Sequence, residues 1–163
     1  MGYGYGVWLV VQDLNIQQMV QKYNTKPHIA HITVMCNMSD TDAFKLAREL
    51  KDNYNATILS RYVHFNKNSD KYSDDENDDV LAASGYYCIV DKWREITEIA
   101  KCYKGSIPNM PHISIAYRDN EADLPSYIDT DLITTQCIAS AININNHSPS
   151  EWYYINQTKP TNG

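Results

Sequence analysis

The sequence predicts an α+β fold with two related lobes, and three observations carry that expectation. Short β-branched and aromatic runs alternate along the chain with amphipathic segments of helical spacing. Each half presents these pieces in the same order: a strand, a helix, then a strand bearing a histidine next to a hydroxyl residue. The length, 163 residues, suits one compact domain with a sizeable core.

Taken in order, Tyr3–Gln12 (YGYGVWLVVQ) reads as a strand, rich in the valine and aromatic side chains that fit a pleated surface. Asn15–Tyr23 is a short helix, closed by Asn24 and the turn-prone Thr25-Lys26-Pro27. His28–Cys36 is strand-like. Ser39 or Asp40 caps a helix running to about Asp52, with Phe44, Leu46, Ala47 and Leu50 on its buried side. Ala56–Phe65 is the next strand. Ser69–Val80 (SDKYSDDENDDV) is a solvated loop, poor in apolar groups and full of mutually repelling charges. In the second half Ala82–Val90 is a strand and Asp91–Lys104 a helix, with Trp93, Ile96, Ile99, Ala100 and Tyr103 at helical spacing. Gly105 stands where a C-cap glycine belongs. His112–Tyr117 is a strand, Asp119–Thr130 a polar connection, and Leu132–Asn145 and Trp152–Asn156 are closing strands.

Composition narrows the function classes. The net charge of −6 disfavours sequence-independent binding to long nucleic acid, because an acidic protein repels polyanions; a small phosphorylated ligand fits better. A cytoplasmic protein is expected, and there Cys36, Cys88, Cys102 and Cys137, scattered with no CxxC pair, read as buried free thiols and not as a disulfide frame. His28 and His31, followed by Cys36, have zinc-like spacing. That spacing aligns ligands on a helix, whereas a strand turns the two imidazoles to opposite faces, so no metal is expected. No apolar run approaches the roughly 20 residues of a spanning helix. The N-terminus lacks the basic and cleavage features of a secretory signal, and Gly6 occupies the position where a myristoylation motif needs Ser or Thr.

The chemistry-bearing residues lie in two strands. Residues two apart share a strand face, so His31 and Thr33 point one way in AHITV, and His112 and Ser114 one way in PHISI. The intervening Ile32, Val34, Ile113 and Ile115 take the buried side. Brought together, the two strands would set two imidazole–hydroxyl pairs across a cleft. One imidazole accepts a proton from water, the other protonates a leaving oxygen, and the hydroxyls donate to phosphate oxygens as charge builds. Such a set cleaves a P–O bond without a metal. The structural alternative is that the histidines are satisfied core residues.

With these motifs, His31-Ile32-Thr33 and His112-Ile113-Ser114, the sequence resembles the two-histidine (2H) phosphoesterase superfamily, which carries one His-x-Thr/Ser motif per lobe. It is similar in particular to the cyclic phosphodiesterase branch, through Tyr5-Gly6-Val7-Trp8, through Met110–Tyr117 (MPHISIAY), and through a closing strand with Trp152. The resemblance implies a bilobal fold, each lobe with an antiparallel sheet and helices, around a central cleft. It implies no metal and no other cofactor. The implied activity is opening of ADP-ribose 1″,2″-cyclic phosphate and nucleoside 2′,3′-cyclic phosphates, with His31 and His112 as base and acid in either order. Thr33 and Ser114 would hold the phosphate. Tyr117 matches a pocket-lining tyrosine, although it shares a face with His112 only if a bulge shifts the strand's alternation. Trp8 would either stack on an adenine or belong to the core. Lys26 and Arg118, flanking the motifs, would add positive potential or remain solvated. A small nucleotide substrate and a monomer are expected. Two alternatives stay open: a related enzyme acting on 2′,5′-oligoadenylate or cyclic dinucleotides, and a silent binder of nucleotide phosphates.

Overall fold

The computed structural model describes residues 4–24, 28–51, 53–64, 83–117, 134–145 and 152–154. Lys26, Arg118, the acidic segment Ser69–Val80 and the connection Asp119–Thr130 lie outside them. The described elements are β1 (Tyr5–Val11), α1 (Leu14–Tyr23), β2 (His31–Met38), α2 (Asp40–Glu49), β3 (Asn53–His64), β4 (Ala83–Val90), α3 (Trp93–Ala100), β5 (His112–Tyr117), β6 (Thr134–Asn143) and β7 (Tyr153–Tyr154). The fold is α+β, and the two strand–helix–strand units read from the sequence are β1–α1–β2 and β4–α3–β5.

In place of a separate sheet in each lobe, the strands form one antiparallel sheet in the order β1-β2-β5-β4-β3-β6-β7. Residues Cys137–Asn143 of β6 also pair with β1, so six strands close into a barrel. Closure removes the unpaired edges that an open sheet would expose. Strands from the two halves are interleaved: β3 lies beside β4, and β6 joins β3 to β1.

The helices cover one face of this sheet. Ile16 and Val20 of α1, Ala43 and Leu46 of α2, and Ile96 and Ala100 of α3 pack with Val7, Leu9, Ile32, Val34, Ile113 and Ile115 in a single core. A six-stranded barrel has no room for helices inside, so this is its outer face. Trp8, Val10, Ile142, Ile144 and Trp152 form a smaller cluster on the opposite, inner side.

Local chemistry explains where α1 and α2 begin. The Asp13 carboxylate accepts from the amides of Asn15 (2.7 Å) and Ile16 (3.2 Å), and Ser39 Oγ from that of Asp42 (3.1 Å), so both helices start on side-chain caps. Three expectations need correction. The second-half helix stops at Ala100, and the amides of Cys102 and Tyr103 fall back onto the carbonyls of Ile99 and Ala100. Gly105 is therefore not its cap; a Cβ there would lie 2.7 Å from the Cys36 carbonyl oxygen, so glycine lets the chain approach β2. β2 starts at His31 and not at His28, and it continues to Met38 through Asn37, whose φ is 60°. Cys88 and Cys137 are buried free thiols, but Cys36 is half-buried and Cys102 exposed, just beyond the end of α3. No helix among the described residues is long and apolar enough to cross a membrane.

Both histidine strands carry a bulge at the same point. Along β1–β2 the pairs run Val10↔His31, Leu9↔Ile32, Trp8↔Thr33, then Val7↔Met35, which leaves Val34 as an extra residue. Along β4–β5 they run Tyr87↔His112, Tyr86↔Ile113, Gly85↔Ser114, then Ser84↔Ala116, which leaves Ile115 extra. A bulge puts two consecutive residues on one side of a strand. Accordingly Val34 and Met35, and Ile115 and Ala116, all enter the outer core.

Gly85 makes the second of these pairings possible. A Cβ there would collide with the Ile113 carbonyl oxygen and stand 3.0 Å from Ser114 Cα. Gly85→Ala is expected to cost about 1–3 kcal/mol through forced separation of β4 from β5. Urea unfolding measures it, and an unchanged midpoint would contradict the close approach.

Candidate active site

The site lies where β2 meets β5. These strands register antiparallel at Ile32↔Ile113, and both isoleucines are buried in the outer core. That register sets His31 alongside Ser114 and Thr33 alongside His112, all on the other face. The imidazoles therefore occupy one diagonal of a four-residue patch and the hydroxyls the other. Diagonal neighbours on antiparallel strands lie about 7–8 Å apart. The bulge at Val34 or Ile115 follows immediately after each motif, so a local two-fold relates the strands.

The rings are held in the same way in both motifs. His31 Nδ1–H donates to the carbonyl of Ile29 (2.6 Å), and His112 Nδ1–H to that of Met110 (2.8 Å), two residues upstream in each case. A carbonyl only accepts, so Nδ1 carries the proton and Nε2 is the basic nitrogen of each neutral ring.

The surroundings of the two rings differ. The Trp8 indole stacks on His31 with centroids 3.4 Å apart and planes within 7°. Trp152 meets His31 edge-on at 6.1 Å and Trp8 at 5.7 Å. The residue related to Trp8 on the other side is Gly85, which has no side chain to cover His112. His31 is accordingly 4% exposed, whereas His112 is half-buried. Burial holds the His31 imidazole well below its ordinary pKa; the Ile29 bond opposes this, and the nearby His28 and His112 add to it. His31 is neutral near pH 7.

Trp8 needs correction as a base-stacking candidate. It is 1% exposed and one face is taken by His31, so its place is in the wall that holds the catalytic candidate. For Tyr117, the bulge at Ile115 returns backbone position 117 to the parity of positions 112 and 114, as its pairing with Ala83 records. The Tyr117 side chain lies outside the described residues. Ser114 is buried and Thr33 half-buried.

The sequence offers His28 as a satisfied structural or surface histidine; the structure buries it and gives it a hydrogen bond, but in a different place. Strand alternation from His28 puts it on the face opposite His31, whereas it lies before β2 in the 28–30 link. There its Nε2–H donates to the Ser114 carbonyl (2.9 Å), and its ring meets His31 edge-on with centroids 6.2 Å apart. The strand-parity argument against a His28–His31 metal pair therefore does not apply. Among the described residues no group of three or more His, Cys, Asp or Glu is placed to hold a metal ion. Burial lowers the His28 pKa to about 4, against the raising effect of its Ser114 bond. The HxxH spacing was the available signal; its meaning depended on where β2 begins. Trp152 is marked in the sequence only through the closing strand of the resemblance, and Tyr87, which pairs with His112 across β4–β5, carries no motif that marks it.

Comparison of the chain with family models, with characterised proteins and with solved structures returns no match.

The buried histidines fix a sign for pH dependence. Unfolded imidazoles protonate near pH 6.5, whereas folded His28 stays neutral down to about 4. Within that window the unfolded chain binds more protons, so stability is full above it and falls as pH drops through it. Each buried histidine contributes up to about 1.4 kcal/mol per pH unit there. NMR titration from about pH 8 to about pH 5.5 should leave the His28 and His31 ring resonances in place. Either ring titrating near its ordinary value would contradict this burial.

Proposed function

We propose that this protein is a metal-independent phosphodiesterase that opens small cyclic phosphates, with nucleotide-type substrates such as ADP-ribose 1″,2″-cyclic phosphate and nucleoside 2′,3′-cyclic phosphates. The observation that carries the reading is the matched pair of imidazoles. Each is fixed through Nδ1 to the carbonyl two residues upstream, and they stand diagonally across one seam beside two hydroxyls. A structural histidine needs one satisfied nitrogen; two identically oriented copies about a local two-fold serve a reaction centre better than they serve a core.

In this mechanism the phosphate sits between the rings, its non-bridging oxygens accepting from Thr33 Oγ1 and Ser114 Oγ. His31, neutral because it is buried, takes a proton from water through Nε2 as the water oxygen attacks phosphorus. His112, half-buried and on the opposite corner, gives its Nε2 proton to the leaving sugar oxygen as the ring P–O bond breaks. The product is a phosphomonoester and a free hydroxyl, and exchange with solvent returns the proton from His31 to His112. The hydroxyls act most strongly at the pentacoordinate stage, where charge on the equatorial oxygens is greatest. The bilobal 2H arrangement enters here as part of the same reading, with the two strand–helix–strand units as the two lobes.

The test is a substrate panel with product identification, including 2′,5′-oligoadenylate and cyclic dinucleotides beside the cyclic phosphates named above. Turnover of a cyclic phosphate is expected, with a bell-shaped pH profile and no loss in EDTA. Absence of turnover across the panel, or strong inhibition by EDTA, would sink the proposal. His31→Ala and His112→Ala are each expected to abolish turnover while circular dichroism stays unchanged. Thr33→Val and Ser114→Ala should each lower kcat by roughly 100- to 1,000-fold, as loss of one oxyanion donor does elsewhere. Near-normal kcat in any of these four variants would remove that residue from the mechanism.

A further inference from the structure

We infer that His28 is a positioning residue for this site, joining the two motifs by holding the backbone of Ser114 against the link that leads into His31. The inference rests on the phosphodiesterase reading above and adds to it a histidine outside both motifs.

The need arises from the β5 bulge. An extra residue at Ile115 interrupts the ladder, and the carbonyls beside it require donors from elsewhere because they are buried. Both donors come from the α1–β2 connection. His28 Nε2–H donates to the Ser114 carbonyl (2.9 Å), and Asn24 Nδ2–H donates to the Ile115 carbonyl (2.7 Å) and to Val20 (2.7 Å). The β2–β5 seam itself registers at Ile32↔Ile113 alone, so these side chains tie the half that carries His112 and Ser114 to the half that carries His31 and Thr33. Of the two, His28 is nearer the chemistry. It grips the residue whose hydroxyl is placed on the phosphate, and its ring packs edge-on to His31 at 81°. A shift of Ser114 relative to His31 would misalign oxygen donor and base together.

Loss of this tie should slow the chemical step more than it weakens binding. His28→Phe keeps the ring and deletes the donor. His28→Gln restores an N–H at the position of Nε2. In the full chain, His28→Phe is expected to lower kcat by about tenfold to 100-fold with KM within about threefold of wild type, and His28→Gln to recover kcat to within about threefold. Should His28→Phe fail to fold, His28→Asn replaces it, since its amide stops short of the Ser114 carbonyl. A donor-less variant with wild-type kcat, or His28→Gln impaired as badly as the donor-less variant, would overturn the inference. Amide resonances of Ser114 and Ile115 separate this outcome from failure of the phosphodiesterase reading. They should move in the donor-less variant and return in His28→Gln whether or not a cyclic phosphate is turned over. If they do not move, His28 does not position Ser114.

Discussion

The arrangement of this molecule's chemistry depends on one narrow contact, the antiparallel register of Ile32 against Ile113. Both isoleucines are fully buried in the helix-covered core, so the hydrophobic effect fixes which face of each strand points inward to that core. The opposite faces then present His31 beside Ser114 and Thr33 beside His112 without further instruction. A slip of one residue would turn the imidazoles into the helix-covered apolar core and the isoleucines out of it, a change that costs both transfer energy and an unsatisfied polar group. Apolar burial thus sets the geometry of the candidate site, and the polar residues take the places it leaves.

A local two-fold of this kind would yield two equal histidines if the flanking strands were also equal. They are not. β1 places Trp8 across from Thr33, and β4 places Gly85 across from Ser114. The indole and Trp152 bury the His31 ring, which favours its neutral form; the glycine leaves His112 more accessible. Two groups of the same type are pushed toward different roles by their surroundings. The same bulge that completes each motif also breaks the ladder, and the carbonyls it releases on β5 draw in His28 and Asn24. In this way a backbone irregularity, a hydrogen-bond requirement and the placement of a hydroxyl become one structural problem with one solution.

How much of this the sequence disclosed can be traced to particular residues. The strand limits at His112–Tyr117, the order of elements and the face-sharing of His31 with Thr33 follow from period-two alternation, a local property. The closure of the barrel does not, because it depends on β6 meeting both β1 and β3 at long range. The placement of His28 escapes alternation for a related reason: tertiary contacts move the start of β2 to His31. Trp8 carried two readings in the sequence, base platform or core, and only the stacking on His31 distinguishes them. The bulges at Val34 and Ile115 left a faint trace, the consecutive apolar pairs Val34-Met35 and Ile115-Ala116, which alternation alone does not explain.

The central claim is that His31 and His112 act on one phosphorus atom. Nitrogen NMR of the imidazoles during titration with inorganic phosphate tests it most directly, because it reports both rings at once. The account predicts that the Nε2 resonances of His31 and His112 respond together, with one shared saturation curve and with the Nδ1 resonances still showing protonated nitrogen. Phosphate that moved one ring alone, or neither, would contradict it.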